Sequence, residues 1–306
     1  MRYSREPVTS DSVTETPAEG NPAQPAPAHR VGRDLSAAIG VGVGFGAYVV
    51  VCLLFFQPGF VLLVATATWF ASRELHQALQ KKGIEATLAP ILAGCVVIAF
   101  GPYLIATWLP DTLTMTAALL ACLALTVLAA LIWRMAGGPA GYVRDASASV
   151  LIITYVPLLA SFSLLMLVGA HGAARIVAYV LVVTMSDTGG LIAGRMFGRH
   201  LMAPMISPKK SWEGLVGSLV FGIAAGVGTA VFGLKVPFWV GIVLGVALVA
   251  VGTCGDLVES MIKRDVGIKD MSSYLPGHGG VMDRLDSLLA AAPVAWLIMY
   301  VWVPGG

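Results

Sequence analysis

Long apolar runs recur along this chain of 306 residues and constrain its fold more than any other feature. Hydrophobic residues make up 57% of the sequence and charged residues only 12%, a balance unlike that of water-soluble domains. A transmembrane helix needs about 20 consecutive, mostly apolar residues. The runs predict nine such helices, at roughly residues 35–56, 59–79, 88–108, 112–135, 147–169, 173–194, 213–233, 236–258 and 284–303. The predicted fold class is therefore all-α, a polytopic membrane protein.

The second run is the least regular of the nine. Its uninterrupted apolar core, residues 60–71, is too short to cross a bilayer, and Arg73 and Glu74 follow closely. We therefore expect this helix either to be tilted or to turn its polar end toward the protein interior.

The positive charges indicate which loops face the cytoplasm. With nine spans and the N-terminus inside, all of the 19 Lys and Arg residues except Arg175 and Lys235 fall on the cytoplasmic side. This imbalance is the one that the positive-inside rule describes. One span more or fewer would exchange the sides of every later loop and remove it. The sequence therefore predicts a cytoplasmic N-terminus and a C-terminus outside.

The chain divides into three predicted regions. Residues 1–33 contain five prolines among Ser, Thr, Glu and Ala, and we expect them to form a disordered cytoplasmic tail. Residues 34–140 are expected to form N-terminal transmembrane helices. Residues 141–306 are expected to form a catalytic transmembrane region with cytoplasmic loops, because the polar residues concentrate there.

Residues 260–286 hold four bases, four acids and a histidine in an otherwise apolar chain. Carboxylates are costly so close to a membrane and usually have a function there. Asp256 and Glu259 are three residues apart and share one helix face, and Asp283 and Asp286 do the same at the start of the last span. Two acidic helix ends could thus converge on one metal ion.

Carboxylate ligands without His or Cys partners favour Mg²⁺, which usually completes its coordination with water and substrate phosphates. Asp187 belongs to the same group, because it follows an apolar run near the predicted cytoplasmic side. The alternative is that these aspartates cap helices or pair with Lys263, Arg264 or Arg284.

Six bases on the predicted cytoplasmic side could bind phosphate groups. They are Lys209, Lys210, Lys263, Arg264, Lys269 and Arg284. Juxtamembrane bases are also expected from topology alone and from attraction to anionic lipid head groups. Their interleaving with carboxylates favours a site that neutralises a triphosphate together with a lipid phosphate.

A glycine-rich segment, Pro-Gly-His-Gly-Gly at residues 276–280, precedes the last span. Its glycines permit close approach of the backbone to a ligand, and a phosphate could bind at the helix N-terminus that follows. His278 has two interpretations, a hydrogen-bonding loop residue or a general base and phosphate donor.

The same residues resemble the signature of the phosphatidate cytidylyltransferase (CDP-diacylglycerol synthase) family. Every fixed position of that signature is met, by Ser260, Ile262, Lys263, Arg264, Lys269, Asp270, Ser272, Leu275, Pro276, His278, Gly279, Gly280, Val281, Asp283, Arg284, Leu285 and Asp286. A match of this length at fixed spacing rarely arises by chance. The resemblance extends to residues 187–189, 194–195 and 207–214, and covers roughly the C-terminal half of the chain.

The resemblance implies an enzyme of phospholipid biosynthesis in the plasma membrane, with its active site facing the cytoplasm. It would transfer a cytidylyl group from CTP to phosphatidic acid, giving CDP-diacylglycerol and pyrophosphate. Mg²⁺ is the implied cofactor, and a second cation would complete the paired-cation arrangement that such chemistry favours. The expected partners are CTP, phosphatidic acid and membrane lipids, without nucleic acid, and the sequence is compatible with a homodimer.

The resemblance also assigns roles to individual residues. Asp256 and Asp283 are the first choices as metal ligands, followed by Asp187 and Asp286. The residues expected to take part in catalysis are Asp256, Asp283, Lys263, Arg264, His278 and Arg284. Those expected to bind CTP and the lipid phosphate are Ser207, Lys209, Lys210, Ser260, Lys269, Gly279 and Gly280.

Two other functions remain open at this level. A membrane kinase that uses CTP on another lipid, such as a polyprenol, would release CDP instead of pyrophosphate. A transporter would use the intramembrane aspartates as ion sites, but such sites lie at the midplane between repeats. Here the acids cluster with bases at one side, and no repeat is visible.

Overall fold

The computed structural model describes Gly44 and residues 46–109, 113–272 and 279–305. These residues form nine helices: α1 Gly46–Phe55, α2 Gln57–Gln80, α3 Leu88–Trp108, α4 Met115–Met135, α5 Tyr142–Val168, α6 Gly172–Phe197, α7 Trp212–Leu234, α8 Phe238–Val266 and α9 Met282–Trp302. Helix α5 contains a π-helical turn at Thr154–Leu158, and α7 ends in another at Thr229–Leu234. A short antiparallel hairpin, β1 Leu201–Ala203 and β2 Ser207–Ser211, joins α6 to α7.

Within the described ranges, the seven helices from α3 to α9 are long and apolar enough to cross a membrane. They correspond to the last seven predicted spans, so the prediction of a helical polytopic membrane protein is confirmed. Helix α2 has the length of a span, 24 residues, but carries several polar side chains. The first predicted span is described only in part, as α1, and the count of nine spans stays a prediction. The predicted tail, residues 1–33, lies outside the described residues.

Polar connections from distant parts of the chain meet at one end of the helix bundle. Lys82, in the turn after α2, pairs with Asp265 near the end of α8 at 2.8 Å. The Arg264 Nε donates a hydrogen bond of 3.2 Å to the Ile206 carbonyl oxygen in the hairpin. These contacts join the turn after α2, the hairpin and the end of α8, which the predicted topology places on the cytoplasmic side of the membrane.

The opposite end of the bundle holds the two basic residues that the sequence assigns to the outside. Arg175, in the first turn of α6, is 1% exposed, and its Nη2 donates to the carbonyl oxygens of Val303 at 3.2 Å and Pro304 at 3.3 Å. This guanidinium therefore satisfies carbonyl groups at the C-terminal end of α9. Lys235 follows α7 and is exposed.

Glycines allow α6, α7 and α8 to pack very closely. A Cβ atom on Gly217 of α7 would lie 2.6 Å from the carbonyl oxygen of Gly189 in α6, and one on Gly245 of α8 would lie 2.7 Å from the Cα of Ile223 in α7. Membrane helices gain little from the hydrophobic effect against one another, so close backbone packing through small residues stabilises their association. These three helices form the scaffold beside which the polar residues gather.

The polar end of α2 faces the protein interior, which is one of the two alternatives expected for this helix from its sequence. Glu74 is 0% exposed, and its neighbour Leu75 lies in a buried cluster with Ile152 of α5 and with Met282 and Leu289 of α9. Helix α2 thus packs against the start of α9, although Glu74 and Met282 are 208 positions apart in the sequence.

Candidate active site

Three carboxylates meet near the end of α8 and the start of α9. Asp256, Glu259 and Asp286 each place one carboxylate oxygen within 4.8 Å of the others. Glu259 is 0% exposed, and the other two are partly buried. The structure thus brings together two acidic helix ends, as the spacing of the acids suggests, with Glu259 as the third member of the set.

This set suits a hard divalent cation. Three carboxylates at such short separations repel one another unless a cation or bound protons compensate their charge. All the ligand atoms that the cluster offers are oxygens, which Mg²⁺ and Ca²⁺ prefer. These carboxylate oxygens therefore fit a hard divalent cation, but they do not identify a particular metal.

Asp283 stands beside this cluster and is held by hydrogen-bond donors. Its Oδ1 lies 2.8 Å from the Lys263 Nζ, and its Oδ2 accepts hydrogen bonds from the backbone N–H groups of Gly280 at 2.8 Å and Met271 at 3.0 Å. Lys263 also forms an ion pair with Glu259. The surroundings of Asp283 thus match part of the alternative interpretation, the pairing of an aspartate with a base. Its assignment as a metal ligand stays a prediction.

A buried carboxylate from the N-terminal half of the chain also contacts this region. The Glu74 Oε1 accepts hydrogen bonds from the Ser272 Oγ at 2.6 Å and the Val281 N–H at 2.9 Å, and its Oε2 accepts one from the Met282 N–H at 2.8 Å. Sequence reasoning did not include Glu74 in the site. The available signal was its position as a charge directly after an apolar core.

The hairpin that carries Lys209 and Lys210 is fixed to the start of α7. The Ser211 Oγ caps this helix by accepting a hydrogen bond of 3.1 Å from the Gly214 N–H. The Glu213 carboxylate accepts a hydrogen bond of 3.1 Å from the Arg199 N–H and lies 2.6 Å from the His200 Nδ1. These contacts tie both ends of the hairpin to one helix terminus.

A cavity of about 330 Å³ opens between this hairpin and helices α6, α7 and α8. Its polar lining includes five of the predicted site residues, namely Asp187, Ser207, Lys209, Lys210 and Asp256. Apolar side chains also line it, among them Leu191, Met202 and Leu215. The cavity therefore combines charged groups with a surface on which apolar groups can pack.

Asp256 links the cavity to the carboxylate cluster. Its Oδ2 lies 2.6 Å from the Lys210 Nζ, and its Oδ1 accepts a hydrogen bond of 3.3 Å from the Ser260 Oγ. Lys210 also reaches the Thr253 carbonyl oxygen at 3.4 Å. One aspartate thus contacts a predicted phosphate-binding lysine and belongs to the candidate cation site.

The remaining predicted residues lie around this centre. Arg264 holds the hairpin through Ile206, while Lys269 and Arg284 are exposed. Gly279 has a φ of +78°, a left-handed conformation that favours glycine. The prediction for His278 falls on residues 273–278, outside the described residues.

The structure adds an aromatic residue that the sequence did not suggest. The Tyr155 hydroxyl lies 3.5 Å from the carbonyl oxygen of Gly255, the residue before Asp256. Tyr155 belongs to the π-helical turn of α5, and such turns occur often at functional sites.

Comparison with known proteins extends the family resemblance over most of the chain. Residues 36–302 match the sequence model described as the cytidylyltransferase family. A protein of Mycobacterium bovis named phosphatidate cytidylyltransferase is 40% identical over 310 residues, which cover 95% of this chain and 98% of the relative. A protein of the same name from Mycobacterium leprae is 42% identical over 286 residues, covering 88% of this chain and 89% of the relative.

Proposed function

Because the chain belongs to the cytidylyltransferase family, we propose that it transfers the cytidylyl group of CTP to phosphatidic acid, giving CDP-diacylglycerol and pyrophosphate. The relatives that cover most of its length carry the name of this activity. The seven apolar helices make the protein an integral membrane protein, as an enzyme acting on a lipid phosphate would be. We further propose that it lies in the plasma membrane with its active site toward the cytoplasm, where CTP is available.

The observation that supports this function best is the position of Asp256. Its carboxylate lies at the boundary between a cavity lined by Lys209 and Lys210 and a cluster of three carboxylates. Phosphate-binding bases next to a hard-cation site are the arrangement expected for a nucleoside triphosphate.

The proposed reaction is a displacement at the α-phosphorus of CTP. An oxygen of the lipid phosphate forms a bond to this phosphorus while the α–β phosphoanhydride bond breaks, and the electron pair leaves with pyrophosphate. Both substrates are anions, so the protein must position them and neutralise their charge. The lipid phosphate is itself the nucleophile, and no serine or cysteine nucleophile is needed.

The residues of the site can supply both requirements. Lys209 and Lys210 would bind phosphate oxygens, and Lys210 would exchange its contact with Asp256 for one with the substrate. Mg²⁺, held by Asp256, Glu259 and Asp286, would supply further charge neutralisation to the phosphate oxygens. Lys263 keeps Asp283 and Glu259 in place through its two ion pairs.

The test is incubation of the purified protein with α-labelled CTP, Mg²⁺ and phosphatidate. We expect label to appear in the lipid fraction together with an equal amount of pyrophosphate. A lipid kinase would instead release labelled CDP and leave the lipid without α-label. The absence of labelled lipid would refute the proposed function.

A variant pair connects this assay to the site. Asp256→Asn removes a charge at the boundary of the cavity and should eliminate most of the product. Asp265→Asn removes a charge from the same helix at a side chain that is 76% exposed, and should leave the activity close to that of the wild type.

A further inference from the structure

The signature segment, residues 260–286, is anchored by a residue far outside it. Glu74 of α2 accepts hydrogen bonds from Ser272 on one side of residues 273–278, and from Val281 and Met282 on the other. A single carboxylate thus binds Ser272, which follows α8, as well as Val281 and Met282 at the start of α9.

These contacts determine where α9 begins. The first N–H groups of a helix have no partner within the helix, and a carboxylate that accepts from them is also favoured by the helix dipole. Glu74 accepts from the N–H groups of Val281 and Met282, immediately before Asp283. Asp286 follows one turn later on the same helix. The orientation of both aspartates therefore depends on this anchor.

The backbone passes so close to Glu74 that residue 280 has no room for a side chain. A Cβ atom on Gly280 would lie 2.6 Å from the Glu74 Oε2 and 3.0 Å from its Oε1. The anchor is also rigid, because Leu75 and Leu79 of α2 pack in one buried cluster with Met282 and Leu289 of α9. Packing and hydrogen bonding thus act on the same segment.

We propose that Glu74 is a positioning residue for the transfer reaction. It does not line the cavity, and it acts by holding Val281 and Met282 so that Asp283 meets Lys263 and Asp286 meets Asp256 and Glu259. This role rests on the proposed function. It gives the N-terminal half of the chain, which lies outside the signature motif, a part in the active site.

The chemistry of the three contacts explains why a carboxylate is required. Two backbone N–H groups and one hydroxyl all donate to Glu74, and an ionised carboxylate offers only acceptors. In Glu74→Gln the size of the side chain is nearly unchanged, but its amide NH₂ group faces a hydrogen-bond donor instead of an acceptor. One buried N–H group or the hydroxyl then loses its partner.

The experiment compares Glu74→Gln with Glu85→Gln, an exposed glutamate in the loop after α2 whose side chain contacts Gln80. We expect kcat of Glu74→Gln to fall by about 10- to 100-fold, the usual effect of losing a residue that orients ligands. Because Glu74 is not among the residues that line the cavity, KM for CTP should change by less than about threefold. Glu85→Gln should keep both parameters near the wild-type values.

Hydrogen–deuterium exchange supplies a measurement that does not depend on activity. In Glu74→Gln, amide exchange should accelerate at residues 268–272 and 279–283 and stay unchanged in α6, α7 and the first half of α8. Acceleration spread over all helices would show a general loss of stability and would overturn the proposal. A kcat within about twofold of the wild type would do the same.

A second variant keeps the test decisive if Glu74→Gln does not fold. Ser272→Ala removes one of the three donors to Glu74 and should lower kcat by about threefold or more, with faster exchange in the same two segments. Wild-type kcat in this variant would overturn the proposal. If the wild-type protein forms no CDP-diacylglycerol, the proposed function fails, while the exchange measurement still decides whether Glu74 anchors this segment.

Discussion

At the scale of single residues, identical side chains acquire different roles from their surroundings. Asp283 accepts hydrogen bonds from Lys263 and from two backbone N–H groups, whereas Asp286 lies within 4.8 Å of two other carboxylates. The first aspartate is stabilised as an anion by donors. The second lies among like charges, which a bound cation would compensate.

Asp283→Asn should nearly abolish CTP-dependent product formation. The amide keeps the volume but loses the charge that pairs with Lys263, and its NH₂ group opposes a donor. Activity should fall below about 1% of the wild type, while membrane insertion stays intact because the change is local. The measurement is labelled lipid formed by purified protein in detergent micelles, with Asp265→Asn as the control. Substantial residual activity would contradict a catalytic role for Asp283.

Arg175→Met should lower stability without removing the active site. The variant loses both hydrogen bonds to the carbonyl oxygens of Val303 and Pro304 at the end of the bundle away from the cavity. We expect a loss of about 1–3 kcal/mol in the free energy of unfolding, seen as a lower melting temperature in detergent. The matched control is Lys235→Met, which removes an exposed charge from the same side. Equal melting temperatures for the two variants would rule out the proposed capping role of Arg175.

At the scale of helices, contact between backbones decides the architecture around the cavity. Gly189 of α6, Gly217 of α7 and Gly245 of α8 each lie where the backbone of a neighbouring helix passes closely. This packing fixes the three helices that line the cavity together with the hairpin. Hydropathy alone identifies these helices but cannot show which faces touch, because lipid-facing and helix-facing surfaces are both apolar.

Gly226→Leu should disrupt the packing of α7 on α8. A Cβ atom on Gly226 would meet the carbonyl oxygen of Gly241, whereas one on Gly228, also in α7, has no neighbour within 4 Å. We expect Gly226→Leu to cost about 1–3 kcal/mol or more from overpacking. Gly228→Leu should cost much less. Size-exclusion profiles and melting temperatures in detergent compare the two, and similar profiles would show that the helices can separate at little cost.

At the scale of the whole molecule, the charges divide the bundle into two unequal ends. The turn with Lys82, the hairpin, the end of α8 and the start of α9 contact one another at one end. The other end holds Arg175 and Lys235. This division agrees with the predicted topology, in which the charged end faces the cytoplasm.

Cysteine labelling tests this orientation. In a background with Cys52, Cys95, Cys122 and Cys254 replaced by Ser, Lys235→Cys should react with a membrane-impermeant thiol reagent in intact cells. Lys82→Cys should react only after the membrane is permeabilised. The opposite pattern would invert the topology and place the proposed active site away from cytoplasmic CTP.

Much of the architecture could be predicted from sequence because the signals are local. The length of an apolar run determines whether a helix can span the bilayer, and α3 to α9 overlap the predicted spans. The largest difference is in α8, which continues to Val266, beyond the predicted end at residue 258. The spacing of Asp256 and Glu259 within one helix likewise follows from helical geometry. The packing of α2 could not be predicted from sequence, because a charged helix end is compatible with a tilted helix as well as with burial in the protein.

The sequence by itself determined the membrane-spanning helical fold, the end of the bundle where charges concentrate, and the match to the cytidylyltransferase signature. Only the tertiary structure decided which carboxylates meet, that Asp283 pairs with Lys263, and that Glu74 binds residues 208 positions away. The physical reason is the range of the interactions. Helix formation and membrane insertion depend on neighbouring residues, whereas the convergence of α2, α8 and α9 depends on side-chain packing between helices that are distant in sequence.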